Sequence, residues 1–170
     1  MKTQLKYLLL VTLIMLSSKA ESQLFSKLFP QKSFDSQVTL VSEQSSANVL
    51  MMRVIGSASS QNNAEEDAAK DCFRTIFFRG VPQSSYSTPL IGTQEANIVN
   101  SNEAYFKFFF ESKRYLSFLV SRNCGAIVKN NKRKEVTCLI GVNVGLLKED
   151  LKNNKLILIF PHCFVFNGIN

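Results

Sequence analysis

Residues 54–80 read VIGSASSQNNAEEDAAKDCFRTIFFRG, an apolar run that breaks into small polar residues and restarts with helical spacing. In the second part, apolar residues recur three and four positions apart, which predicts one buried helix face. Its members are Ala64, Ala68, Ala69, Cys72, Phe73, Ile76 and Phe77. Gly56 has no side chain and the alanines are small, so we expect the helix to lie close against the preceding strand.

The ends of this strand and helix follow from polar and capping residues. Residues 49–55 are mostly apolar with polar flanks, which predicts a strand covered on at least one face. Asn62 or Asn63 is the expected N-cap of the helix, and Gly80 marks its end. The glycine turn between the two has neither GxGxxG nor P-loop spacing, so it does not predict a nucleotide site.

The first 20 residues have the parts of a secretory signal peptide: Lys2 and Lys6, an apolar core over residues 7–16, and small residues before a cleavage site. The core is about half as long as the ~20 residues needed to span a membrane. We therefore predict a soluble secreted or periplasmic chain that begins near Glu21, without a transmembrane segment. Residues 21–46 show no clear pattern and are interpreted as an N-terminal arm or linker.

The formal net charge argues against one class of partner. The whole chain carries +7, and loss of Lys2, Lys6 and Lys19 with the signal peptide lowers this to +4. This is mild basicity in an exported chain, so we do not expect nucleic acid to be the partner.

The middle of the chain predicts a loop and an aromatic helix. Residues 81–100 contain two prolines, a glycine and many polar residues, which favours a long loop. A short helix is expected over residues 102–112, and a strand is the alternative because aromatic runs favour both. Its inward residues are Tyr105, Phe106, Phe109 and Phe110. Residues 114–122 then alternate, which places Leu116, Phe118 and Val120 on one face of an extended segment.

The last third of the chain predicts a hairpin, a helix and a final pair of strands. Residues 126–129 and 134–144 are the two arms of the hairpin, and apolar residues recur at every second position of the second arm. A helix over residues 146–154 follows, and residues 156–170 are interpreted as strands interrupted at Pro161. The predicted class is α+β, a mainly antiparallel sheet with two or three helices packed on one face, in a single domain over residues 47–170.

Four cysteines, Cys72, Cys124, Cys138 and Cys163, allow three complete pairings. Cys124 and Cys138 flank the predicted hairpin turn, so one interpretation is a disulfide across the hairpin. Cys72 and Cys138 also lie on predicted core faces, where a free cysteine packs as a small hydrophobic residue. A disulfide and buried free thiols both stay open as alternatives.

Candidate catalytic residues are few. His162 is the only histidine, so a Ser/His/Asp, Cys/His or zinc site would have to use it. Glu65, Glu66 and Asp67 are consecutive and suit the positive end of a helix dipole, whereas Asp150 is interpreted as a solvated helix residue. The sequence shows no catalytic motif, cofactor-binding motif or metal-ligand spacing, so we predict that the protein is not an enzyme and takes no cofactor or metal.

Two candidate contact surfaces for a partner stand out. Lys129, Lys132, Arg133 and Lys134 form a basic cluster at the predicted hairpin tip. The cluster is either simply solvated or in contact with anionic lipid, cell-wall polymer or an acidic partner. Phe108 is expected on the outer side of the aromatic helix. An exposed aromatic residue there predicts part of a partner-binding patch.

Two stretches carry a resemblance to known proteins: VIGSASSQNNAEEDAAKDCF at residues 54–73 and KEVTCLIGVNVGLLKEDL at residues 134–151. They resemble a module of small bacterial outer-membrane lipoproteins and of the N-terminal domain of flagellar assembly T proteins. In that module a strand, a Gly/Ala turn and an Ala-rich helix precede a sheet hairpin. The resemblance implies a noncatalytic envelope role and carries over no catalytic residue. The chain departs from the lipoprotein members because it lacks a lipid-bearing cysteine.

The leading hypothesis is a noncatalytic binding or accessory protein of a bacterial cell envelope, whose partner is an envelope protein or an anionic surface. The alternative is a secreted hydrolase or small-ligand-binding protein that uses residues 81–100 as a lid. A third hypothesis is a homo-oligomer that pairs through the strands of residues 156–170.

Overall fold

A computed structural model describes residues 27–28, 38–130 and 133–157. Within these residues the elements are, in chain order, β1 (Thr39–Gln44), β2 (Val49–Ala58), α1 (Gln61–Phe78), α2 (Glu95–Ser101), α3 (Glu103–Phe110), β3 (Leu119–Asn130), β4 (Arg133–Asn143) and α4 (Val144–Asn153). The strands form one antiparallel sheet in the order β1-β2-β4-β3. Helices α1 and α4 pack on this sheet, so the predicted α+β class is confirmed.

The contact between α1 and β2 is as close as the small residues predict. A Cβ atom at Gly56 would lie 1.9 Å from the carbonyl oxygen of Ala64 and 2.8 Å from the backbone nitrogen of Ala68. The Ser57 N–H also donates a 2.9 Å hydrogen bond to the Asp67 carboxylate. The missing side chain at Gly56 therefore sets the distance between the helix and the sheet.

The core lies between the sheet and the helices. Alternate residues of β4 are buried, which confirms the predicted period of two. The buried residues of the two central strands include Leu50, Met52, Val54, Val136, Cys138, Ile140 and Val142. Aromatic side chains of α1 and α3 pack in the same core, where Phe109 lies 5.3 Å from both Phe73 and Phe77 between ring centroids.

The alternation predicted over residues 114–122 is wrong. Residues 114–118 form a short 3-10 helix, and β3 begins at Leu119 with an irregular register between Leu119 and Ser121. Phe118 is buried, whereas Leu116 and Val120 are 44% and 58% exposed. A 3-10 helix has three residues per turn rather than two, so these side chains do not share a face.

Both α1 and α4 begin earlier than predicted, because a capping side chain lies upstream. Ser60 Oγ accepts a 3.3 Å hydrogen bond from the Asn63 N–H, so α1 begins at Gln61. The Asn143 side chain accepts a 3.0 Å hydrogen bond from the Leu146 N–H and caps α4 in the same way.

Two segments that were predicted to lack regular secondary structure contain a strand or a helix. Within the predicted arm of residues 21–46, residues 39–44 form β1. Within the predicted loop of residues 81–100, α2 occupies the last part. The N–H groups of Leu90 and Ile91 donate hydrogen bonds of 3.1 and 3.0 Å to carbonyl oxygens in the last turn of α1. This loop therefore satisfies carbonyl groups that a helix end leaves without intrahelical partners.

Several predictions fall on residues that the structure does not describe. They are the signal peptide at residues 1–20, residues 158–170 of the C-terminal strands with His162 and Cys163, and Lys132 of the basic cluster. Leu156 and Ile157, the first two residues of those predicted strands, are described and form a bend rather than a strand. Among the helices that are described, none has the length and apolar character needed to cross a membrane.

Candidate functional site

A cleft of about 470 Å³ lies beside α3, where the end of α4 approaches it. Its lining combines two aromatic rings with hydroxyl, amide and carboxylate groups. The lining residues are Ser101, Asn102, Glu103, Ala104, Tyr105, Phe108 and Asn154. We call this feature the aromatic cleft. Its volume falls in the range of sites that take a small molecule or one large side chain of a partner.

Phe108, predicted from sequence as a partner contact, lines the aromatic cleft. Helix α3 buries Phe106, Phe109 and Phe110 in the core, whereas Phe108 points away and is 55% exposed. The guanidinium carbon of Arg114 lies 5.4 Å from the centre of the Phe108 ring, which is cation–π distance. The ring is therefore exposed to solvent while an adjacent cation helps to hold it.

Asp150 fixes the groups around the cleft. Its carboxylate accepts a 2.5 Å hydrogen bond from Arg114 Nη2 and a 2.9 Å hydrogen bond from the Tyr105 hydroxyl. Burial, and then the hydrogen bond to Asp150, raise the pKa of Tyr105, so its hydroxyl stays a donor. The hydrogen bond to Asp150 also raises the pKa of Arg114, so the cation beside Phe108 is permanent.

Sequence reasoning missed this network. Asp150 was expected to be solvated, but it is only 8% exposed, and its partners lie 36 and 45 residues away in the chain. The one available signal was its position three residues after the apolar Leu147, on the inward side of α4. A carboxylate on the buried side of a helix needs a partner, but the spacing does not say which one.

The predicted lid, residues 81–100, precedes the cleft in the chain but does not line it, since the lining starts at Ser101. Glu95 of this segment is tied to α1, because its carboxylate accepts a 2.8 Å hydrogen bond from Arg74 Nε and one of 3.3 Å from Arg79 Nε. The hypothesis of a lid over a ligand stays a prediction.

The second predicted contact surface is the tip of the β3–β4 hairpin. Lys129 pairs directly opposite Lys134, and Asn130 opposite Arg133. The structure thus brings three of the four predicted basic residues to one end of the sheet. It places Phe108 on a different element, in α3.

The structure decides between the alternatives for three of the cysteines. Cys124 and Cys138 lie opposite each other on β3 and β4 and form a disulfide. Cys72, on α1, is a free thiol that is buried in the hydrophobic core of the domain. Burial, with a smaller effect of the Asp71 charge, raises the pKa of Cys72, so its thiol stays protonated and unreactive.

Over residues 27–28, 38–130 and 133–157, no cluster of three or more histidine, cysteine, aspartate or glutamate side chains is arranged to hold a metal ion. No protein-family model matches the chain, and neither the curated proteins nor the solved structures contain a significant match to it.

Proposed function

We propose that this chain is a noncatalytic accessory protein of a bacterial cell envelope, secreted or periplasmic, which binds an envelope protein at the aromatic cleft. One observation carries the proposal: the Phe108 ring is 55% exposed and lies against an Arg114 side chain that Asp150 already holds. Aromatic and arginine side chains are typical anchors of protein interfaces.

The arrangement suits binding because it is ordered before a partner arrives. Arg114 is held by an ion pair to a largely buried carboxylate, and Tyr105 is held by a hydrogen bond to the same group. Side chains that are ordered in the free protein lose less conformational entropy on association. The polar groups of Asn102 and Asn154 at the cleft can orient an incoming side chain.

Two further observations support the location. The Cys124–Cys138 disulfide is consistent with an extracellular or other oxidising compartment. The first 20 residues carry the composition of a signal peptide. The resemblance to envelope lipoproteins and flagellar assembly proteins supports an accessory role there.

Site-specific photocrosslinking tests the partner contact. A photoreactive phenylalanine analogue is placed at position 108 of the whole chain, which is produced in a bacterium that exports it. We expect a crosslinked protein species from position 108. The matched control places the same analogue at Val120, a similarly exposed apolar residue of β3.

Competition makes the outcome specific. Excess unlabelled protein is expected to suppress the crosslink, and the same excess of the Phe108→Ala variant is expected not to. Equal crosslinking from positions 108 and 120, or equal suppression by both competitors, would contradict binding at the aromatic cleft.

A further inference from the structure

The described end of the β3–β4 hairpin carries a cluster of cations. Lys129 and Lys134 are direct cross-strand partners, and opposite residues in an antiparallel pair project from the same face. Arg133 pairs with Asn130 and projects from the other face. Within the described parts of the chain, no carboxylate lies within ion-pair distance of these three cations. We call Lys129, Arg133 and Lys134 the tip cations.

The register of the tip cations disfavours the hairpin itself. Like charges directly opposite each other on neighbouring strands repel, so the Lys129–Lys134 pair destabilises the fold. Glu135 does not lie between the two lysines, since it pairs with Val128 and projects from the opposite face to Lys134. An anionic group bound between the two lysines would remove it.

The positions of the tip cations suit contact between the end of the hairpin and a flat anionic surface. The tip cations project from both faces of the hairpin, so a partner that covers one face reaches only part of them. A plane across the end of the sheet reaches all three. Val128, the residue before Lys129, is 63% exposed and adds an apolar side chain close to the charges. Basic residues next to exposed apolar ones favour the interface of a membrane with anionic lipids.

We infer that the tip of the β3–β4 hairpin docks on anionic lipid headgroups, whose phosphates lie between Lys129 and Lys134 and against Arg133. The tip shares no residue with the aromatic cleft. One surface can therefore hold the protein at a membrane while the other holds an envelope protein, and each contact can be lost without the other.

Vesicle co-sedimentation of the whole mature chain tests the membrane contact. The probes are vesicles of phosphatidylcholine with about 30 mol% phosphatidylglycerol and vesicles of phosphatidylcholine alone. We expect binding to the anionic vesicles that falls steeply with salt, since exposed charges are screened. Each basic residue near such a surface contributes about a five-fold gain, so the triple variant K129Q/R133Q/K134Q is expected to bind roughly 100-fold more weakly.

The matched control removes the same charge elsewhere. The variant K148Q/K152Q/K155Q neutralises three exposed lysines on and after α4, and we expect it to retain most of the binding. The variant K129E pairs opposite charges across the hairpin, so it should bind anionic vesicles more weakly while unfolding at the same or a higher temperature. A loss of binding through misfolding would instead lower that temperature.

Three results would overturn the membrane contact. The first is equal binding to neutral and anionic vesicles. The second is an equal loss in the tip and control variants. The third is binding to soluble polyglutamate, with the same dependence on the tip cations, in the absence of binding to vesicles, which would assign the tip to an acidic protein instead.

Discussion

Gly56 shows how one missing side chain sets the distance between a helix and a sheet. A Cβ atom there would collide with backbone atoms of Ala64 and Ala68, which cannot move away independently of α1. We expect Gly56→Ala to destabilise the protein by about 3 kcal/mol or more, because the helix must lift from β2. Urea unfolding measures this change in the free energy of unfolding.

The control for Gly56 is a second strand glycine with room around it. A Cβ atom at Gly125 would meet only the carbonyl oxygen of Thr137, at 3.6 Å, which is an ordinary contact. Gly125→Ala is therefore expected to change stability by no more than about 0.5 kcal/mol. Similar losses in the two variants would show that the close approach at Gly56 is not what matters.

Two tyrosine hydroxyls with opposite surroundings give a second prediction. Tyr115 is fully buried, and among the described residues its hydroxyl has no hydrogen-bond partner, whereas the Tyr105 hydroxyl donates to Asp150. Tyr115→Phe should be neutral or stabilising by about 1 kcal/mol, because it removes an unsatisfied polar group. Tyr105→Phe should destabilise by about 1–2 kcal/mol. Urea unfolding midpoints measure both changes. A Tyr115→Phe variant that is less stable than the Tyr105→Phe variant would contradict the prediction.

At the scale of elements, Glu95 ties the start of α2 to α1. Its side chain and that of Arg74 are only 14% and 12% exposed, so their ion pair is mostly shielded from water. Glu95→Ala leaves Arg74 and Arg79 without this carboxylate and is expected to destabilise by roughly 2 kcal/mol. Limited proteolysis should then cut faster within residues 81–94.

The exposed pair within α3 serves as the control for Glu95. Glu103 and Lys107 form an ion pair one turn apart, and both are about half exposed. Glu103→Ala is expected to change stability by only about 0.3–0.5 kcal/mol and to leave proteolysis of residues 81–94 unchanged. Faster cleavage in both variants would show that the effect is not specific to Glu95.

Regular burial explains which elements could be predicted from sequence. The strand β4 buries alternate residues and the first half of the helix α1 buries one face, so their apolar residues predict both their type and their orientation. The second half of α1 is buried on nearly all sides, which its predicted single face did not include. By contrast, β1 has only six residues, which are mostly exposed, and α2 buries only Val99. Such short elements are held by neighbours that the local sequence does not show.

The candidate sites likewise divide into those that a local sequence pattern predicts and those that depend on distant residues. Phe108 and the hairpin cations could be predicted because each is a local departure from a pattern, an outward aromatic residue or a run of basic ones. The link between Asp150 and Arg114 could not, because it forms between distant parts of the chain. Interactions of this kind depend on the path of the chain and leave no spacing to recognise.

At the scale of the whole molecule, the disulfide makes stability depend on the redox state of the surroundings. Cys124 and Cys138 are 14 residues apart, and a crosslink of this span stabilises by about 3 kcal/mol by restricting the unfolded chain. We expect dithiothreitol to lower the urea midpoint of the protein accordingly. The double variant Cys124→Ala/Cys138→Ala should be less stable and insensitive to the reductant. A reductant effect of equal size in that variant would contradict the assignment.

The two central strands come from opposite ends of the described chain, since Val49 of β2 pairs with Asn143 of β4. During synthesis β2 therefore leaves the ribosome long before its partner exists, and pairing of such distant segments slows folding. Until then α1 has only part of the sheet on which to bury its apolar face. The central pair of the sheet can therefore form only after residue 143 has been made, so we expect folding of this domain to follow the synthesis of nearly all of it.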